Sequence, residues 1–243
     1  MNDLILHLIE LRKRLIQISL FLICLFLILF WKDEDLYTFI AKPLLTQLPL
    51  GSQMIATEVT STFMVPMKLA FVTALILSMP FILYQLWAFA APGLYKQEKR
   101  TLLPFLISSI ILFYLGIVFA FYVICPMTLG FFASSAPIGI VVMTDIRHYL
   151  DFVLTILFSS GIAFQVPVIT LALIQAGLVT AKQLSYLRPY VIVGAFVVGM
   201  ILTPPDVISQ ILLALPMWGL FEGGLLLAKF LPKPAVAPAQ FDS

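Results

Sequence analysis

A helix rises about 1.5 Å per residue, so roughly 20 consecutive apolar residues cross the hydrocarbon core of a bilayer. This chain of 243 residues strings together five apolar tracts of about that length or more. They run over residues 15–31, 67–90, 102–125, 150–178 and 189–230. A water-soluble domain covers itself with roughly 25% charged residues. Here 11% are charged and 62% hydrophobic, with a mean hydropathy of +1.09. Such a chain needs hydrocarbon around it, and the expected fold class is all-α, polytopic and membrane-embedded.

The last tract is interrupted at Thr203-Pro204-Pro205-Asp206. Two successive prolines remove two backbone donors and end a helix, and Asp206 can cap the helix that follows. The tract therefore divides into spans 189–202 and 207–228 joined by a tight turn, which makes six transmembrane helices. Both look short. The first offers about 14 residues, roughly 21 Å of helix. The second is as short if Glu222 is interfacial, and spans normally if Glu222 is buried and paired. Residues 1–230 are expected to form one six-helix membrane domain, and the Pro/Ala/Gln-rich tail 231–243 to be disordered. Residues 35–48 carry Leu36, Phe39, Ile40, Leu44 and Leu48 near helical spacing, the pattern of a short amphipathic helix on the outer face.

The basic residues give the orientation. With the N-terminus inside, cytoplasmic segments hold ten of the fourteen Lys and Arg, as the positive-inside rule requires. Both termini are thus expected in the cytoplasm. No small-residue cleavage site follows the first tract, so it reads as a retained span.

Several chemistries are excluded. The two histidines, His7 and His148, fall on opposite faces of the membrane in this topology, which rules out a bis-histidine metal or haem site within the chain. Cys24 and Cys125 form no disulfide framework. There is no phosphate-cradling glycine loop and no nucleophile elbow. Net charge is +2, with no basic stripe for nucleic acid. The sequence predicts neither an enzyme nor a cofactor. Two carboxylates near the cytoplasmic interface, Glu10 and Glu98, each sit among basic residues. The plain reading of that spacing is a solvated ion pair worth about 0–1 kcal/mol.

The segment His7-Leu8-Ile9-Glu10-Leu11-Arg12-Lys13-Arg14 resembles the amino-terminal motif of the TatC family, the multispanning receptor subunits of the twin-arginine protein translocase. The resemblance continues through 84–89 and 92–100, resumes at Phe164-Gln165-Val166-Pro167 and Arg188-Pro189-Tyr190, and ends with 202–210. These blocks follow family order and cover nearly all of residues 5–230.

The resemblance implies recognition of twin-arginine signal peptides and export of folded precursor proteins, driven by the proton-motive force. It implies a bacterial inner membrane location, small single-span partners (TatA-like and TatB-like) and self-association within the complex. The family's signal-contacting glutamates match Glu10 and Glu98, with Arg12, Leu94, Tyr95 and Arg100 supporting them. Paired, charge-assisted hydrogen bonds from a guanidinium to a carboxylate suit that role, and an ammonium cannot reproduce them. Gln165, Met200, Asp206 and Gln210 fall where partner helices would dock, although a simple helix cap is an equal reading of Asp206. Pro43, Pro80, Pro204 and Pro205 are expected to shape the backbone. The family often carries a glutamate at position 165. Glutamine there keeps hydrogen-bonding capacity but cannot ionise.

Overall fold

The structure, a computed structural model, describes residues 2–31, 54–94, 102–134, 144–202 and 207–229. Its helices, in order, are α1 (Asn2–Phe30), α2 (Ser61–Leu94), α3 (Leu102–Phe119), α4 (Cys125–Ser134), α5 (Ile146–Ala163), α6 (Val166–Gln175), α7 (Ala181–Tyr186), α8 (Arg188–Leu202) and α9 (Val207–Ala228). A π-helical turn, Ala120–Ile124, joins α3 to α4. The all-α expectation holds apart from two two-residue strands, β1 (Met54–Ile55) and β2 (Thr144–Asp145), paired in parallel.

Among the described residues five tracts are long and apolar enough to cross a membrane: Ile5–Phe30, Phe63–Phe89, Leu103–Phe132, Ile146–Gln175 and Gln210–Ala228. A sixth apolar helix, Arg188–Met200, is shorter. The residues divide into two compact units, one of 1–96 with 125–154 and the other of 97–124 with 155–243.

In the first unit α1 and α2 run antiparallel. Ring contacts run along the pair: His7 stacks on Phe89 with centroids 4.3 Å apart, Phe21 meets Phe81 at 4.8 Å, Phe26 meets Phe71 at 6.1 Å and Phe30 meets Phe63 at 6.4 Å. In lipid the apolar surroundings give no hydrophobic reason for two helices to pair, so packing and polar contacts must do it. An aromatic ladder supplies area and edge-to-face geometry. The rest of α1 exposes Leu8, Leu15, Leu20, Ile23 and Leu27, as expected of a face that meets lipid. Leu69, Ala70 and Ala74 of α2 are buried, as are Leu150 and Val153 of α5.

The strand pair closes the other end of this unit. Asp145 accepts hydrogen bonds from the Thr57 hydroxyl and backbone N–H, and from the N–H groups of Arg147 and His148. It thereby caps α5 and ties it to the segment before α2. The Thr57 side-chain and backbone bonds, with lesser help from His148 and Arg147, hold its carboxyl well below the usual carboxylate range. Glu58 pairs with Arg147, and Lys68 pairs with Asp151 at 2.5 Å.

In the second unit glycine allows close approach. A Cβ on Gly116 of α3 would lie 2.6 Å from the Ser160 carbonyl oxygen, and one on Gly161 of α5 would lie 2.6 Å from the Phe113 ring. A Cβ on Gly224 of α9 would lie 3.0 Å from Cα of Pro167. Small residues at such crossings let backbones pack in lipid. Helix α6 ends in a Schellman motif. Gly177 takes φ 71°, its N–H reaches the Ile174 carbonyl, and the Leu178 N–H reaches the Leu173 carbonyl. Thr180 then starts α7 in a capping box with Gln183.

Two spans depart from expectation. The third was expected to end at Cys125, but the helix continues to Ser134 through the π turn. Pro126 lacks an N–H and its ring crowds the preceding turn, and a widened turn there absorbs the conflict without ending the helix. The fourth, expected as 150–178, starts at Ile146 and is broken at Phe164 and Gln165. Pro167 sits in the first turn of α6, so the ladder stops before it and restarts. Outside the described residues lie the amphipathic segment 35–48, Pro43, the turn 203–206 and the tail 231–243.

Candidate functional site

Residues 7, 10, 14, 17 and 21 fall on one stripe of α1, at alternating spacings of three and four. Its upper part is polar. The Arg14 guanidinium donates from Nη2 to Glu10 Oε1 at 2.6 Å and from Nε to the same oxygen at 3.0 Å. Arg14 Nη1 donates to Oε1 of Gln85 on α2 at 2.9 Å, and Nη2 also reaches the Ala88 carbonyl at 3.3 Å. Gln85 in turn donates from Nε2 to Gln17 Oε1 at 3.2 Å. Glu10 is 38% exposed and Arg14 21%, whereas Gln85 is buried.

A lone helical Glu–Arg pair at this spacing contributes about 0.3–0.5 kcal/mol. The cross-helix bonds to a buried amide and a carbonyl make this one part of the α1–α2 contact. The ion pair expected for Glu10 is therefore present, but its partner is Arg14. Arg12, two residues on, is exposed, because a two-residue step turns it about 200° away around the helix. Glutamate preceding arginine by four is a readable pairing signal. Gln85, 71 residues from Arg14 in sequence, carries no such signal.

Leu94 is the last residue of α2. Tyr95, Glu98 and Arg100 lie outside the described residues.

Two of the four positions expected at a docking face, Gln165 and Gln210, have intramolecular partners in the second unit. Gln165 donates from Nε2 to the Ser109 carbonyl at 2.8 Å, at the break between α5 and α6. Gln210 donates to the Phe196 carbonyl at 2.9 Å, and a Cβ on Gly199 would lie 3.2 Å from the Gln210 side chain. This bond crosses the α8–α9 hairpin near its turn. Met200 is exposed. Asp206, Pro204 and Pro205 lie outside the described residues, and Pro80 sits half-buried inside α2. At the far end of the same hairpin Arg188 pairs with Glu222 at 2.6 Å, with Glu222 25% exposed. Glu222 is thus paired and part-buried at the level of the first residue of α8, and α9 continues six residues further, to Ala228.

A cavity of about 350 Å³ opens in the first unit, with Phe26, Phe71 and Leu150 in its apolar wall and Lys68, Arg147 and Asp151 at its polar edge. Sequence reasoning missed it, because its lining comes from three helices distant in the chain.

Together these features define a polytopic helical membrane protein whose polar contacts, among the described residues, are ion pairs and amide bonds. Residues 6–216 match the family of Sec-independent protein translocase proteins, TatC. The chain is 52% identical to the TatC protein of Escherichia coli strain K12 over 94% of its own length and 89% of that relative's. It is 48% identical to the protein of that name from Haemophilus influenzae, over 94% and 90%. A crystal structure described as the twin arginine translocase receptor TatC superposes with a TM-score of 0.82 at 35% identity, covering 92% of this chain and 98% of that one. The chain belongs to the TatC family. It is a multi-pass membrane protein and a translocase subunit of the Sec-independent Tat pathway, a transport component.

Proposed function

We propose that this chain is the twin-arginine signal-peptide receptor of its translocase, a core subunit in the export of folded proteins driven by the proton-motive force. The observation that carries this reading is Glu10, a 38%-exposed carboxylate at the start of an apolar span in a chain of this family. In this reading Glu10 and Glu98 each accept a signal-peptide guanidinium, with Arg12, Leu94, Tyr95 and Arg100 around them. Carboxylates bind guanidinium groups through paired, charge-assisted bonds, which favours consecutive arginines over lysines.

The topology that goes with it has six spans within one membrane domain of residues 1–230, both termini in the cytoplasm and the chain in a bacterial inner membrane. The apolar composition of α8, short as it is, and the distribution of Lys and Arg support it. Glu222 pairs with Arg188 and is 25% exposed, and α9 runs on beyond it to Ala228, which favours a sixth span of ordinary depth, while α8 itself offers only about 22 Å of helix. Single-span TatA-like and TatB-like partners dock at this hairpin and near Gln165, where Met200, Asp206 and Gln210 lie, and further copies of the chain assemble in the working complex. Gln165, being unable to ionise, contributes a polar contact and no proton.

Co-purification with a precursor bearing an Arg-Arg signal tests the reading. Capture is expected, and its loss when both arginines become lysine. Equal capture of both precursors would overturn it.

A further inference from the structure

We propose that Arg14 and Gln85 are positioning residues that orient the Glu10 carboxylate and so set the preference for arginine over lysine in the bound peptide. The inference rests on the receptor reading of Glu10 and adds the residues that give it selectivity.

Both Arg14 bonds to Glu10 end on one oxygen, Oε1. Oε2 has no partner among the described residues. A guanidinium facing a carboxylate squarely would take one oxygen with each nitrogen. Here the fork straddles a single oxygen, leaving the other for a second donor.

Arg14 is itself held from α2. Nη1 donates to Gln85 and Nη2 to the Ala88 carbonyl, so four of its five N–H groups are engaged. The Gln85 amide is in turn held the right way round, because its Nε2 donates to Gln17 and its oxygen is therefore the atom facing Arg14. It is 6% exposed and uncharged, so it holds the guanidinium without competing for it as a carboxylate would.

Two consequences follow for a cationic ligand. The Arg14 charge offsets part of the pull of Glu10, so charge alone gives weak binding to any cation. The carboxylate is fixed in orientation, so a ligand that donates planar, directed hydrogen bonds gains more than a compact ammonium does. Raw affinity is lowered and discrimination is raised.

The test measures dissociation constants of the purified full-length protein in detergent for a signal peptide carrying Arg-Arg and for the same peptide carrying Lys-Lys. Wild type is compared with Arg14→Gln, Arg14→Lys and Gln85→Leu. In Arg14→Gln, Lys-Lys binding is expected to tighten, while Arg-Arg binding gains less or falls because the carboxylate is no longer held in orientation. The ratio of the two constants then falls by about tenfold. Arg14→Lys does not restore the ratio, because an ammonium cannot hold the carboxylate plane, and Gln85→Leu moves it in the same direction by less. An unchanged ratio in Arg14→Gln, or an equal loss for both peptides, overturns the proposal, the second result assigning Arg14 to helix packing alone. A wild-type protein that does not distinguish the two peptides overturns the receptor reading instead.

Discussion

Gly116 and Gly194 are both helical glycines, yet replacing each with alanine is expected to change stability in opposite directions. At Gly116 the added methyl would lie 2.6 Å from the Ser160 carbonyl oxygen and 2.9 Å from the Phe164 ring. Ordinary contact begins at about 3.4 Å, so the backbones of α3 and α5 must part by several tenths of an ångström. The obstacle is backbone, which cannot rotate aside. Overpacking of this kind costs about 1–3 kcal/mol. At Gly194 nothing lies within 4 Å, so alanine meets open space and gains up to about 1 kcal/mol of helix propensity. Unfolding of each variant in mixed detergent, followed by circular dichroism, reads both signs in one series. Gly116→Ala should unfold at lower denaturing-detergent fraction than wild type, and Gly194→Ala at equal or higher. A Gly116→Ala protein as stable as wild type would refute the close α3–α5 approach and the packing argument built on it.

Two further outcomes follow from the polar contacts. Bonds from Thr57 and the start of α5 hold the Asp145 carboxyl low. Its stabilisation is therefore complete above the ordinary carboxylate value of about 3.9 and is lost only as pH falls through the lower folded value. Amide protection factors at residues 54–57 and 144–148, corrected for the intrinsic pH dependence of exchange, should be unchanged from pH 7 to pH 5, and Thr57→Val should lower them at every pH. Gln210→Leu removes the bond to the Phe196 carbonyl and should cost about 1 kcal/mol in the same unfolding assay, with disulfide trapping between the ends of α8 and α9 becoming less selective.

Sequence patterning located the apolar tracts because hydropathy and span length are local properties. The proline pair at 204 and 205 likewise divides the final tract by a local rule. The π turn before Pro126 and the break before Pro167 were legible in principle, since each proline forbids a hydrogen bond that the unbroken reading requires. What a proline then does, widening a turn in one case and ending a helix in the other, depends on neighbours that the sequence does not place. Arg14 was within reach of the i,i+4 rule. Gln85 and the Thr57–Asp145 bond were not, because both join segments about 70 to 90 residues apart. The two-residue strand pair is too short to leave any alternation. The cavity edged by Lys68, Arg147 and Asp151 depends on the same kind of distant meeting.

The central claim is that carboxylates near the cytoplasmic ends of the first three spans receive the signal-peptide arginines. It is tested most directly by the affinity of the Glu10→Ala, Glu98→Ala double variant for an Arg-Arg signal peptide, measured in detergent beside an unfolding curve. The account predicts a loss of about tenfold or more in affinity with the fold retained. Wild-type binding by a folded double variant would contradict it.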